Sequence, residues 1–358
     1  MSSFTTRLDA NERNIAVGGG FDFWQRGTSL VTSNARPYLA DRFSVQVTSS
    51  YSVTQSQSTD VPTVAQSGYQ SRYSLLLTNG TGASPSSGDA IAIHHRIEGQ
   101  DYAQIHSKYA RVQFWVKSSV AGTYAASLAS SGITRTYTAP ITINAANTWE
   151  KKFIDIAMDT LSADWVFDNT AGLYLTVMLT AGSAKQTSTL NSWTNGTDFY
   201  ASTSQTQWGA TTGATFRIGQ FSIIPQNFLL AGASNVDIPF QRAGRTIGHE
   251  LAMCKRYCEV INKTATGHIA NGYVASTTGA GIILNFEEKR VAPTISFSAA
   301  SSYNILCGSA QTTCTSIGTS YIDVKSANLS PNATGLSLGQ AAILVSNTTT
   351  AIIIDAEL

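Results

Sequence analysis

The sequence predicts a mainly β protein: a large N-terminal sandwich of two sheets, one connecting amphipathic helix, and a smaller C-terminal β-sandwich. Three observations carry this. Ser and Thr fill roughly a quarter of the 358 residues, while only 13% are charged, against about 25% in an ordinary soluble domain. Hydroxyls and β-branched side chains suit half-exposed strands and the turns between them. Runs of period two recur through the first 240 residues without helical stretches between them, which argues for antiparallel sheets. The period breaks once, in "TIGHELAMCKRYCEVIN", where Ile247, Leu251, Cys254, Cys258 and Ile261 recur at steps of four and three.

Taken in order, residues 1–13 are polar, lack the apolar stretch of a secretory signal, and read as an N-terminal docking segment. Residues 14–240 hold the larger sandwich, with strands such as "RFSVQVT", "SRYSLLLTN", "YARVQFWVKSS", "AGLYLTVMLTAG" and "TFRIGQFSII". In the third of these, Val112, Phe114 and Val116 alternate with Arg111, Gln113, Trp115 and Lys117, giving one apolar and one mixed face. Residues 241–262 are the connecting helix. Thr246 is its expected N-cap, Glu250 lies near the positive end of its dipole, and Lys255 and Arg256 near the negative end. Its stripe faces either the chain's own sandwich or copies of itself around a symmetry axis. Residues 263–358 return to β structure. Pro293 restricts its strand to a sheet edge or a strand start, and the apolar "AIIIDAEL" demands burial in a sheet or an interface.

Composition excludes several functions. Net charge is +1 and no basic run marks a nucleic-acid surface. No run approaches the roughly 20 apolar residues of a membrane helix. Four cysteines are too few for a disulfide framework here. Cys254 and Cys258 suit packing, and Cys307 and Cys314 are expected as a thiol pair. Neither spacing fits zinc, so no metal and no cofactor are expected. His94 and His95 are the only histidine cluster, and on a strand they point to opposite faces. No nucleophile elbow, zinc-protease helix or Walker loop occurs. "GGG" at 18–20 lacks the flanking strand and helix of a phosphate loop.

Carbohydrate contact has a better footing, because sugars bind on aromatic faces flanked by planar polar groups. "LNSWTNGTDFYASTSQTQWGA" offers Trp193, Tyr200 and Trp208, with Asn191, Asn195 and Asp198 beside them. The opposite reading is that these aromatics fold back as core anchors. A polysaccharide-cleaving enzyme would need a carboxylate pair. Asp155, Asp159, Asp164 and Asp168 in one stretch are the candidates, although they look more like turn residues and strand ends.

Three segments together resemble bacteriophage tail-fibre and related virion structural proteins with a carbohydrate-binding-like jelly-roll domain. They are "NIAVGGGFDFWQRGTS" (14–29) followed by "YLADRFSV" (38–45), "HHRIEGQDYAQIHSKYARVQFWVKSSVAGTY" (94–124), and "PFQRAGRTIGHELAMCKRYCEV" (239–260). The ending "IIIDAEL" is similar to endings in that family. The chain departs from the pattern at "FSIIPQNFLLAGASN", before the helix, and at Cys258, where Tyr is common. The resemblance implies a jelly-roll for residues 14–240, a virion location, and a homotrimer in which the helical stripe is the meeting line. It implies other virion proteins as partners and a host surface polysaccharide as ligand. The competing expectation is a head-decoration fibre or tail adaptor that binds no receptor. Within the first motif, Phe21 and Trp24 read as core anchors. Arg26 or Arg42 is expected to pair with Asp22 or Asp41.

Overall fold

The computed structural model describes residues 13–161, 164–198, 200–229 and 237–358. Residues 1–12 of the expected docking segment lie outside the described residues. The chain divides into two compact units. The first runs through Leu251 and includes Leu358, and the second is Ala252–Glu357.

In the first unit two six-stranded antiparallel sheets form a jelly-roll sandwich. One sheet has the strand order Ser29–Thr32, Val53–Ser58, Ser74–Asn79, Thr215–Gln226, Tyr109–Ser118, Glu150–Ala157. The other runs Trp193–Asn195, Arg135–Ile143, Gly122–Ser130, Ala171–Ala181, Ala90–Glu98, Phe43–Val47. Apolar residues at alternate positions meet between the layers, as period two requires. Val112, Phe114 and Val116 are fully enclosed there. The mixed face of that same strand is also covered, because Ile238 lies over it. Gln113 donates to the Ile238 carbonyl at 2.9 Å, and Arg111 pairs with Asp155 at 2.7 Å.

The two most specific sequence motifs meet in this unit, and their roles are structural. Gly18 has a φ of 80°, which glycine adopts without steric cost. Its amide donates to the Glu250 carboxylate at 2.7 Å, and Gly244 donates to the other oxygen at 2.5 Å. A Cβ on Gly19 would sit 2.0 Å from the Phe221 carbonyl, at the bulge between Gly219 and Ser222. Asn14 closes the same junction by donating to Gln241 O and accepting from Ile223 N. Phe21 is buried, with its ring 4.4 Å from Phe43, and Trp24 packs against the same core. Asp22 pairs with Arg242, at 2.7 and 3.1 Å, rather than with the expected Arg26 or Arg42. Sequence proximity favoured the nearer arginines; the fold brings in one from 220 residues away.

The helix is shorter than the spacing suggests. It spans Ile247–Lys255, and Cys258–Lys263 is a strand antiparallel to Thr350–Asp355. Thr246 caps the helix as expected, accepting from His249 N at 3.3 Å. Cys258 and Ile261 therefore lie opposite Asp355 and Ile352 in a sheet and do not continue a helical stripe. Val260 and Ile261 are β-branched and favour the strand, so the four-and-three spacing past Lys255 is a coincidence of period. Within the helix Cys254 and Glu250 are buried, whereas Ile247 is 44% exposed.

In the second unit a three-stranded sheet, Cys258–Lys263, Thr350–Asp355, Thr294–Phe297, packs on a seven-stranded one. Ile352 and Ile354 share a core with Ile282, Leu284, Ile305 and Leu344. The terminal apolar run is thus the central strand of its sheet, and the strand that follows Pro293 is at an edge, both as the sequence predicts. All four cysteines are buried thiols.

His94 and His95 point to opposite faces, as alternation requires. His95 enters the core, donates to Val17 O at 2.8 Å, and lies 4.7 Å from Phe43. Burial pulls its pKa down to about 3. The folded value lies below the ordinary 6.5, so the folded state holds fewer protons. This contribution to stability is complete above pH 6.5 and is lost as pH falls towards 3. The urea midpoint is expected to drop through that window, with a shallower slope in His95→Phe.

Candidate functional site

Trp193–Asn195 is the edge strand of the second sheet of the first unit, beside Arg135–Ile143. Trp193 pairs with Tyr137 across an edge strand pair. Its indole donates to Ala157 O at 2.9 Å, and its ring sits 5.4 Å from both Tyr137 and Trp165. Trp165 in turn stacks on Tyr102 at 4.5 Å. Phe167 ends this series. It lies 6.0 Å from Tyr102, nearly parallel, and 5.0 Å edge-on to His106, and it is 42% exposed. The result is a continuous aromatic rim, buried at Tyr102 and open at Phe167, with Trp193 half-buried.

A polar network borders the rim. Arg135 donates two hydrogen bonds to Asp159, at 2.8 and 3.1 Å, and a third to Asn195 at 2.9 Å. Trp165 Nε1 donates to Asp159 at 3.2 Å. Burial works to raise the Asp159 pKa, but Arg135 and Trp165 outweigh it and hold the carboxyl below its ordinary value. Asp159 therefore stays ionised and serves as an anchor for Arg135. Burial depresses the His106 pKa, opposed by Asp159, and its Nδ1 shares a hydrogen bond of 3.1 Å with the Tyr102 hydroxyl. The remaining carboxylates of this stretch are engaged separately. Asp155 is paired with Arg111, Asp164 accepts from Thr134 at 2.7 Å, and Asp168 accepts from the Thr170 amide at 2.8 Å.

The structure separates the residues the sequence grouped. Trp193 and Asn195 belong to the rim. Asp198 instead pairs with Lys185. The Tyr200 hydroxyl bonds locally to Thr197, and the Asn191 amide donates to Thr138 O at 2.8 Å. Trp208 is a correction. Its side chain is fully enclosed in the main core, where no sugar ring reaches its face, so it is the core anchor of the opposite reading. The residues the sequence did not single out are Tyr102, His106, Arg135, Trp165 and Phe167. Trp165 and Phe167 stand within "DIAMDTLSADWVFD", a stretch whose aspartates are its stronger sequence signal.

Among the described residues no cluster of three or more His, Cys, Asp or Glu side chains is placed to hold a metal ion. No helix of the described residues is long and apolar enough to cross a membrane.

No protein-family model matches the chain, and no curated protein matches it. Among solved structures, the enzymatically active domain of bacteriophage CBA120 tailspike protein 4 is similar over 60% of this chain and 21% of its own, at 13% identity and a TM-score of 0.32. This chain thus matches about a fifth of that tailspike domain. A putative sugar binding protein from Bacteroides thetaiotaomicron matches over 60% of this chain and all of its own, at 9% identity and a TM-score of 0.32. The family 11 carbohydrate-binding module of a Clostridium thermocellum cellulase matches over 55% and 96%, at 12% identity and a TM-score of 0.29. Likenesses of this size do not place the chain in a family.

Proposed function

We propose that this chain is a non-catalytic structural component of a bacteriophage particle, a tail fibre or receptor-binding protein that holds the virion to a host surface polysaccharide. The observation that carries the glycan-binding half is the open aromatic rim, Phe167 and Trp193, flanked by Asn195 and Arg135 on a rigid sandwich edge. A pyranose ring stacks on an aromatic face while its hydroxyls bond to an amide or guanidinium beside it. The virion half rests on the motif resemblance at 14–29, 94–124 and 239–260. Non-catalytic action is supported by the engagement of the candidate carboxylates: Asp155 and Asp159 are each paired with an arginine, and Asp159 is held below its ordinary pKa, which does not suit a proton donor for glycosidic cleavage. Assembly as a homotrimer is part of the same reading. Of the expected stripe, Ile247 and Leu251 remain as accessible positions of the shortened helix.

Phe167→Ala is expected to leave stability within about 1 kcal/mol of the parent, because its side chain is part-exposed. It should weaken adhesion to host cells, or to their extracted polysaccharide, by roughly ten-fold, the scale of one lost stacking contact. Unchanged adhesion in both Phe167→Ala and Asn195→Ala would remove the rim as the binding surface. Immunogold labelling of purified particles tests the location. Label on tail fibres supports the reading, label on the head points to the decoration alternative, and no label on any particle ends the virion assignment.

A further inference from the structure

The outward face of the second sheet carries a feature that the rim does not use. Strand register lines up Ser44, His94, Thr176, Ser127 and Thr138 in one row across five strands, and Arg96, Tyr174, Ala129 and Thr136 in the next. These rows face away from the sandwich core, because Val45, Ile93, Ile97, Leu175 and Leu128 take the alternate positions inside it; all of their residues but the half-buried Tyr174 are themselves covered. The segment Ala35–Tyr38 bridges to the edge strand at Val47 and Ser44, which places Arg36 beside Gln46 at the rim of this face. A cavity of about 210 Å³ opens there, lined by Asn34, Ala35, Arg36, Gln46, Val47 and Thr48. Gln46 accepts from His94 at 3.0 Å, while the other ring nitrogen of His94 bonds to Thr176 at 2.8 Å.

The charge on this face is unbalanced. Arg96 is 8% exposed, its Nε is buried without a hydrogen-bond partner, and its guanidinium lies 5.0 Å over the Tyr174 ring. Among the described residues no carboxylate forms an ion pair with it. The charges of Arg36, Arg96 and Lys185 all act against a proton on His94. Partial burial and the Arg96 charge hold the Arg36 guanidinium below its ordinary pKa. Lys185 is itself paired with Asp198, and Glu98 stands two residues further along the strand from Arg96. A buried guanidinium without an ion pair is costly unless something anionic completes it. Planar guanidinium groups bind carboxylate and sulfate oxygens through paired N–H donors.

We propose that Arg36 and Arg96, with Gln46 and Tyr174 beside them, form an anion-recognising subsite that takes the carboxylate or sulfate group of an acidic saccharide. The proposal rests on the glycan-binding reading above and narrows its ligand to acidic polysaccharides. Tyr174 supplies an aromatic face next to the charge, and the cavity at Gln46 and Asn34 supplies amides for the neighbouring hydroxyls. The subsite differs from the rim in place and chemistry, so the two are separable by mutation.

The test uses the full chain and three oligosaccharide series, of galacturonic, glucuronic and mannuronic acid, each with its carboxyl-reduced counterpart, in calorimetric titration at low salt. At least one acid series is expected to bind, its reduced counterpart at least ten-fold more weakly, as loss of a charged hydrogen bond implies. Added salt should weaken binding of the acid form. Arg36→Met and Arg96→Met should each lower acid affinity about ten-fold or more by the same reasoning. Arg36→Lys, which keeps the charge and loses the fork, should fall between parent and Arg36→Met. Circular dichroism melting of each variant establishes that it is folded. Equal binding of acid and reduced sugars, or acid binding unaffected in both arginine-to-methionine variants, overturns the subsite and leaves the rim reading standing. Acid binding lost in Phe167→Ala alone likewise overturns the subsite in favour of the rim. Stabilisation by inorganic sulfate in the parent but not in Arg96→Met, with no saccharide bound, identifies a simple anion site and overturns the saccharide assignment. Binding of no sugar and no anion overturns both readings.

Discussion

Trp208→Ala is expected to destabilise the N-terminal unit by about 3–5 kcal/mol, the range for removing a large aromatic from a core. Trp208 is fully enclosed in the main cluster. It sits on the turn Trp208–Ala210, which is pinned by Gly209 N donating to Thr180 Oγ1 at 2.7 Å. Nothing nearby can fill the space. A Cβ at Gly209 would already meet Ile91, Thr180 and Tyr51 within 2.9 Å, so the neighbouring backbone is close-packed and collapse is limited. Trp208→Phe should cost clearly less. It keeps most of the apolar area and removes an indole N–H that has no partner among the described residues. Urea unfolding followed by circular dichroism and by tryptophan emission checks both. An alanine variant within about 1 kcal/mol of the parent would mean that the site is not the enclosed one described.

Glu250→Ala should rank next, at about 2–6 kcal/mol, because it strands the Gly18 and Gly244 amides in a buried place, each a loss of about 1–3 kcal/mol. Glu250→Gln is the informative companion. An amide accepts one of the two N–H bonds but offers its own N–H to the other, so it recovers only part of the loss. The variant also changes the pH response. Burial raises the Glu250 pKa from its ordinary 4.5, against the pull of the Gly244 and Gly18 amides. With the folded value above the unfolded one, the folded state binds more protons between the two. Glu250 therefore favours folding fully below pH 4.5, and this contribution is lost as pH rises through its raised value. Glu250→Gln should remove that falling limb. Persistence of the same limb in the glutamine variant would assign it to another group.

The fold was legible where a single period governed. "ARVQFWVK" alternates, and Val112, Phe114 and Val116 are inside. "AIIIDAEL" is too apolar for a surface, and Ile352 and Ile354 are buried in mid-sheet. Where two periods overlapped, sequence misled. Cys258 and Ile261 continue a helical spacing on paper, yet the chain turns at Arg256–Tyr257 and pairs as a strand. Helix length is set by which partner the chain meets, here Thr350–Asp355, almost a hundred residues downstream. The candidate site was half legible. A Gly/Asn-rich loop with aromatics marked Trp193 and Asn195, but composition cannot say which tryptophan of a loop faces water. Trp193 and Trp208 carry the same signal and have opposite fates.

By itself the sequence determined the class: β-rich layers, a capped helix after residue 246, and histidines 94 and 95 on opposite faces. Each follows from local chemistry, because side-chain alternation, capping and backbone preference act over a few residues. Only the tertiary structure decided which distant groups meet. Asp22 found Arg242, Gly18 found Glu250, and Arg96 came to lie over the Tyr174 ring. Such pairings depend on how strands are ordered across two sheets, and burial then fixes their energetic weight, since a charge or amide shut away from water must find its partner wherever the fold has placed one.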